Sequence, residues 1–145
     1  MELGFLILTD HSEALNGKVY AMGGGWNMLR VPQLPHEYAF SIAFGIDVPW
    51  DETNRRHTLR VHIEDRDGEG LGDEFSLDFE TGRPPGSVPG QDQRVILSLA
   101  SQTTFSEAGP HAVLLRVGDD TVGRSRFYVQ QIPAEMLPAH MRPDA

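Results

Sequence analysis

The chain has no cysteine, which excludes disulfides, thiolate metal ligands and a cysteine nucleophile. Lysine is nearly missing too: Lys18 stands alone, and the remaining basic side chains are arginines spread along the chain. Positive charge is scarce overall, with 12 basic against 21 acidic residues and a formal charge of −9. Nucleic-acid binders draw most of their affinity from neutralising phosphates. A field of this sign repels DNA, RNA and anionic lipid unless a local arginine patch overcomes it. No nucleic-acid and no membrane partner is expected. Long hydrophobic runs are also lacking. The first residues hold a short apolar stretch, lack a basic leader region and carry Glu2, so they do not read as a signal peptide. No segment approaches the roughly 20 apolar residues of a membrane helix. A soluble, cytoplasmic protein is expected. Finally, no stretch of useful length shows amphipathic helical periodicity.

What the sequence does contain is alternation. Tyr38, Phe40, Ile42, Phe44, Ile46, Val48 and Trp50 fall at every second position, separated by Ala39, Ser41, Ala43, Gly45, Asp47 and Pro49. Successive side chains of a strand point to opposite faces, so this pattern predicts a strand with its bulky face in a core. Its small face is free to lie under a covering layer. Leu59, Val61 and Ile63 repeat the pattern with polar residues between them, as do Phe75, Leu77 and Phe79. Val95, Leu97 and Leu99 follow, then Val113, Leu115 and Val117, then Phe127 and Val129. Asn16-Gly17 between Leu15 and Val19 signals a type I′ hairpin. Asp65-Arg66-Asp67-Gly68 and Gly118-Asp119-Asp120-Thr121 read as turns.

About eight strands result. At 145 residues the chain suits one domain able to bury a core without staples. The expected fold is all-β, a two-layer antiparallel sandwich, immunoglobulin-like or similar. Residues 1–132 form that domain, and residues 133–145, with three prolines and no periodicity, form a flexible or docking C-terminal tail. Residues 51–56 are short and polar, so the strands around them are expected to pair as a long hairpin. Residues 81–92, rich in proline and glycine, are expected to cross between the sheets, because proline cannot donate within a central ladder.

Three segments carry a family resemblance. They are Asn16-Gly17-Lys18-Val19-Tyr20 running into Gly23-Gly24-Gly25-Trp26, then Val48-Pro49-Trp50-Asp51-Glu52-Thr53-Asn54-Arg55, then Gly82-Arg83-Pro84-Pro85-Gly86. Together they resemble a family of small bacterial proteins classed as a domain of unknown function. The resemblance implies no activity, substrate or cofactor, so no catalytic residue follows from it.

No catalytic signature emerges from the residues themselves. Gly23-Gly24-Gly25-Trp26 lacks the lysine and the following helix of a phosphate loop, and reads as a strand end where Trp26 caps the core. The six histidines show none of the spacings of zinc sites, and no metal site or cofactor is expected. Asp65-Arg66-Asp67-Gly68-Glu69 opens like a calcium loop but lacks the later ligands. The polar cluster most suited to recognition is the expected hairpin tip: Trp50, Asp51, Glu52, Asn54, Arg55 and Arg56. Arginine forks there could read carboxylates or phosphates. The bland alternative is that Asp51, Thr53 and Asn54 satisfy turn backbone.

Two functions compete. The first is a non-enzymatic binding or assembly module with a protein partner or a second copy of itself, served by exposed edge strands or by Met136, Leu137 and Met141 in the tail. The second is a small-molecule, carbohydrate or metal-binding protein or small hydrolase. Its site would unite the hairpin tip, the glycine-rich turn and the histidines.

Overall fold

The alternating segments are strands in the computed structural model, which describes residues 1–136 and 138–141. In chain order they are β1 (Glu2–Leu15), β2 (Lys18–Gly24), β3 (Met28–Val31), β4 (His36–Val48), β5 (Arg56–Glu64), β6 (Gly70–Glu80), β7 (Gln93–Phe105), β8 (Gly109–Val117) and β9 (Asp120–Gln131). Short 3-10 turns lie at Trp50–Glu52, Ala134–Met136 and Ala139–Met141. Among the described residues nine strands stand where about eight were expected. The addition is β3, whose four residues between a glycine turn and Pro32 are too few to display a period. Leu137, the Met141 side chain and residues 142–145, all within the expected tail, lie outside the described residues.

The strands form a four-stranded sheet, β2-β1-β4-β7, and a five-stranded sheet, β3-β9-β8-β5-β6. Pairing is antiparallel except between β3 and β9, which run parallel. The sandwich is therefore not wholly antiparallel. Phe40, Ile42, Phe44, Ile46 and Val48 of β4 are all buried, as the alternation predicted. All but Val48 join one core with Leu59, Val61 and Ile63 of β5, Val113, Leu115 and Val117 of β8, and Phe127 and Val129 of β9. Each such side chain contributes roughly 1.5–3 kcal/mol on burial.

The small face of β4 is buried as well. Gly45 leaves room for the Phe5 ring to lie against it. The β1 strand bends to pack on β7 across β4, where the Ser12 and Ser98 hydroxyls meet at 2.7 Å. Small side chains at Ser41, Ala43 and Gly45 thus admit a covering layer.

Turn chemistry follows the sequence. Asn16 and Gly17 take φ of 52° and 71°, as a type I′ turn requires. Between β5 and β6, the Asp65 carboxylate accepts hydrogen bonds from the amides of Asp67 and Glu69 at 2.9 and 3.0 Å. One expectation fails. The strands flanking residues 51–56 do not pair: β4 belongs to the four-stranded sheet and β5 to the other. The segment is a corner that carries the chain from one sheet to the next. Each of the two alternating strands finds its hydrogen-bond partners elsewhere, β4 in β1 and β7, β5 in β6 and β8. Residues 81–92 do cross between the sheets, from β6 to β7.

Candidate functional site

The corner residues are held by Arg83, from the proline-rich crossover. Its guanidinium stacks 3.8 Å from the Trp50 ring centroid. Its Nε donates to Thr53 Oγ1 and its Nη2 to the Trp50 carbonyl, both at 2.7 Å. Thr53 Oγ1 in turn donates to the same carbonyl at 2.7 Å. Asn54 adopts φ 59°, and its amide donates to the Thr81 carbonyl at 2.8 Å. His57 Nε2 lies 2.8 Å from the Glu52 carbonyl. Trp50, Glu52 and Asn54 therefore brace the inter-sheet corner, while the side chains of Asp51, Arg55 and Arg56 are exposed. Arg55, Arg56 and His57 line a shallow cavity of 380 Å³ with Gly118 and Asp120.

The glycine-rich turn sits at the far end of the molecule. The Gly25 amide donates to the Leu8 carbonyl at 2.9 Å, and Gly23, at φ 64°, leaves space for the Asp10 carboxylate that any Cβ would fill. Trp26 caps the core as expected, edge-on to Phe40 and Phe127 at 5.7 and 6.4 Å. A cleft of 660 Å³ opens beside it, lined by Asp10, Trp26, Met28, Arg30, Tyr38 and Met136 among others. Burial, and secondarily the Asp10 charge, pushes the Tyr38 phenol above its usual pKa. The corner and this turn are separated by ten residues of extended chain beyond Phe40, about 33 Å at the strand rise. The histidines do not unite them. His57 lies at the corner, His111 in the core against Phe105 and Phe127, and His36 and His140 beside Tyr38. The structure thus leaves the tip, the glycine turn and these histidines in separate places. Among the described residues, the group of ligand-type side chains close enough to share an ion is Asp65, Asp67 and Glu107. Asp65 is already engaged by turn amides, and Arg66 lies 3.7 Å from Glu107.

The third region is the side where β6 and β7 end their sheets. Between them runs a slot of 430 Å³ with buried Ile42, Val61 and Ile63 at its floor and the less buried Leu71, Phe75 and Leu99 around it. Phe75 is 38% exposed there. The four sheet edges differ in kind. β3 is four residues long, and β2 is seven and runs into Gly23 and Gly24. β6 carries Asp73, Glu74, Asp78 and Glu80, a register shift opposite Val61 and Ile63, and Gly72 at φ 68°. Short length, charge and bulges are the devices by which edges resist further pairing. β7 has none of them: it is thirteen residues long and pairs with β4 without a register shift. From residue 95 to residue 105 it contains no charge, proline or glycine. Its Arg94 is tied back to Asp47 by hydrogen bonds of 2.7 and 2.9 Å. Periodicity marked part of β7 as a strand but could not mark it as an edge, because edge status depends on sheet order.

Likeness to solved structures is distant. The alkylpurine DNA glycosylase AlkC of Pseudomonas fluorescens, bound to DNA containing an abasic site analogue, matches at 11% identity over 72% of this chain and 28% of its own, with a TM-score of 0.45. A beta-glucosidase from Listeria innocua in complex with glucose matches at 12% identity over 74% of this chain and 15% of its own, with a TM-score of 0.37. The CARDB domain of a Pyrococcus furiosus protein in complex with di-metal ions matches at 13% identity, over 91% and 93% of the two chains, with a TM-score of 0.36. The chain thus spans well under a third of the first two proteins. No curated protein sequence matches it. A family model does match residues 4–130, and on that extent the chain belongs to the family of unknown function DUF6941.

Proposed function

We propose that this protein is a non-enzymatic binding module that takes a protein partner by strand addition along the free edge of β7. The observation that carries this reading is the contrast among the four edges: three are short, glycine-ended or charged, and β7 is long, its one charge, Arg94, paired with Asp47 and residues 95–105 uncharged. Its thirteen residues offer about 40 Å of unpaired backbone donors and acceptors. A strand laid there would gain main-chain hydrogen bonds, and its alternate side chains would enter the slot over Phe75 and Leu99.

Topology supports the same reading. The order β9-β8-β5-β6 corresponds to G-F-C-C′ of an immunoglobulin-like sandwich, and β1-β4-β7 to A-B-E. In that comparison the strand D position beside β7 has no occupant among the described residues, since residues 81–92 cross over as a proline-rich connector. An incoming strand would take the D position.

The test is parallel affinity purification with the wild-type protein and with an Ala100→Lys/Gln102→Lys double variant. Both side chains are exposed, so the fold tolerates the change, while edge lysines oppose pairing. A stoichiometric companion, or a second copy, retained by the wild type should fall at least about tenfold with the variant, the loss of a few ladder hydrogen bonds. Identical profiles from the two proteins would refute strand addition at this edge.

A further inference from the structure

The arginines, dispersed in sequence, are gathered by strand register. Arg30 of β3, Arg124 and Arg126 of β9, Arg116 of β8, and Arg56 and Arg60 of β5 all alternate with buried residues and project from the outer face of the five-stranded sheet. Arg60 and Arg116 are direct cross-strand partners. Like charges in that position destabilise a sheet, so the fold bears a cost here. Some of the charge is met locally: Arg124 reaches Glu64 at 3.0 Å and Arg60 lies 3.8 Å from Glu74. Arg116 and Arg126 have no carboxylate partner among the described residues. Beside Arg126 runs an apolar strip in which Tyr128 is registered with both Met28 and Pro110. Tyr128 and Met28 are 44% and 37% exposed.

We infer that this face docks an acidic protein segment carrying apolar residues, its carboxylates meeting Arg116 and Arg126 and its apolar side chains settling on Tyr128 and Met28. Guanidinium forks pair bidentately with carboxylates, and an anion between Arg60 and Arg116 would relieve their repulsion. A protein segment fits better than a nucleic acid. The basic ridge is bordered on the β5–β6 side by Glu64, Glu74, Asp78 and Glu80, on a chain of net charge −9. A continuous polyanion crossing the ridge would run onto those carboxylates, whereas a short segment would not. The surface lies on the sheet opposite to that of β7, so the inference stands independently of strand addition.

The experiment follows fluorescence anisotropy of two labelled probes: a short peptide of glutamates interrupted by phenylalanines, and an oligothymidylate of equal length. The peptide should bind, weaken as salt is raised, and lose at least about tenfold in affinity with Arg116→Glu/Arg126→Glu. The milder Arg116→Gln/Arg126→Gln pair, checked for an unchanged melting temperature, should lose affinity in the same direction. Arg55→Glu at the corner and Ala100→Lys on β7 should leave peptide binding as it is. Absence of peptide binding, indifference to the arginine variants, or tighter binding of the oligothymidylate would each overturn the inference.

Discussion

The aromatic end of the sandwich and the slot between β6 and β7 are built on the same two sheets, yet one is closed and the other open. At the closed end, Phe40, Phe105 and Phe127 come from three strands of both sheets, with ring centroids 5.9–6.4 Å apart. Trp26 covers them from the glycine turn. Phe105 and Phe127 are fully buried. At the slot, a fourth phenylalanine, Phe75, sits on an inner face but remains 38% exposed, because among the described residues no strand follows β7 in its sheet. A hydrophobic inner face is therefore not sufficient for closure; something must span the gap between the edges. The difference predicts unequal costs. Phe127→Ala should destabilise by about 3–5 kcal/mol, as deletion of a buried aromatic does. Phe75→Ala should cost no more than about 1 kcal/mol, because much of its surface already meets water. Equilibrium denaturation of both variants decides the matter, and equal costs would mean that the slot is closed in solution.

A smaller effect is expected at the corner, which closes a third part of the molecule with polar contacts. Arg83→Ala removes two hydrogen bonds and a stacked cation, and should cost about 1–3 kcal/mol. Arg83→Lys should recover little, since a point charge cannot supply the planar fork that reaches Thr53 and the Trp50 carbonyl together. A full recovery of the melting temperature by lysine would show that charge alone, and not this geometry, fixes the crossover.

These contrasts also mark where sequence reading stops. Alternation located β4, β5, β6, β8 and β9 and chose the buried face of β4 correctly, because a period of two is a local property of side-chain direction. Asn16-Gly17 revealed its turn for a similarly local reason, the positive φ at both positions. What failed was pairing. The polar segment after Trp50 looked like a hairpin tip, and nothing within those six residues distinguishes a tip from a corner between sheets. Arg83, thirty residues beyond Thr53, makes that distinction. The edge status of β7 and the arginine face were hidden in the same way. Arg60 and Arg116 become neighbours only through the β5–β8 register, and composition averaged them into a uniformly acidic chain. The site residues legible in sequence were those whose role is local. Those that depend on sheet order were not.

The smallest predicted effect concerns the one charge on the β7 edge. Arg94 lies over Gly4, where a side chain would meet its guanidinium, and its paired hydrogen bonds hold the Asp47 carboxyl below the usual carboxylate range. A carboxyl with a depressed pKa in the folded state contributes stability above its unfolded pKa and loses it as pH falls through the folded value. Arg94 is 49% and Asp47 21% exposed, so water screens the pair and its contribution should be small. Stability of the wild type should therefore fall slightly more steeply than that of Asp47→Asn as the pH drops below the usual carboxylate range. Protonation also frees Arg94 from β4, leaving an unpaired cation at one end of an otherwise neutral edge. If the edge accepts a strand, acid and Asp47→Asn should both weaken that association modestly. Parallel stability curves for the two proteins would instead show that the Asp47–Arg94 pair contributes nothing and that the neutrality of β7 rests on residues 95–105 alone.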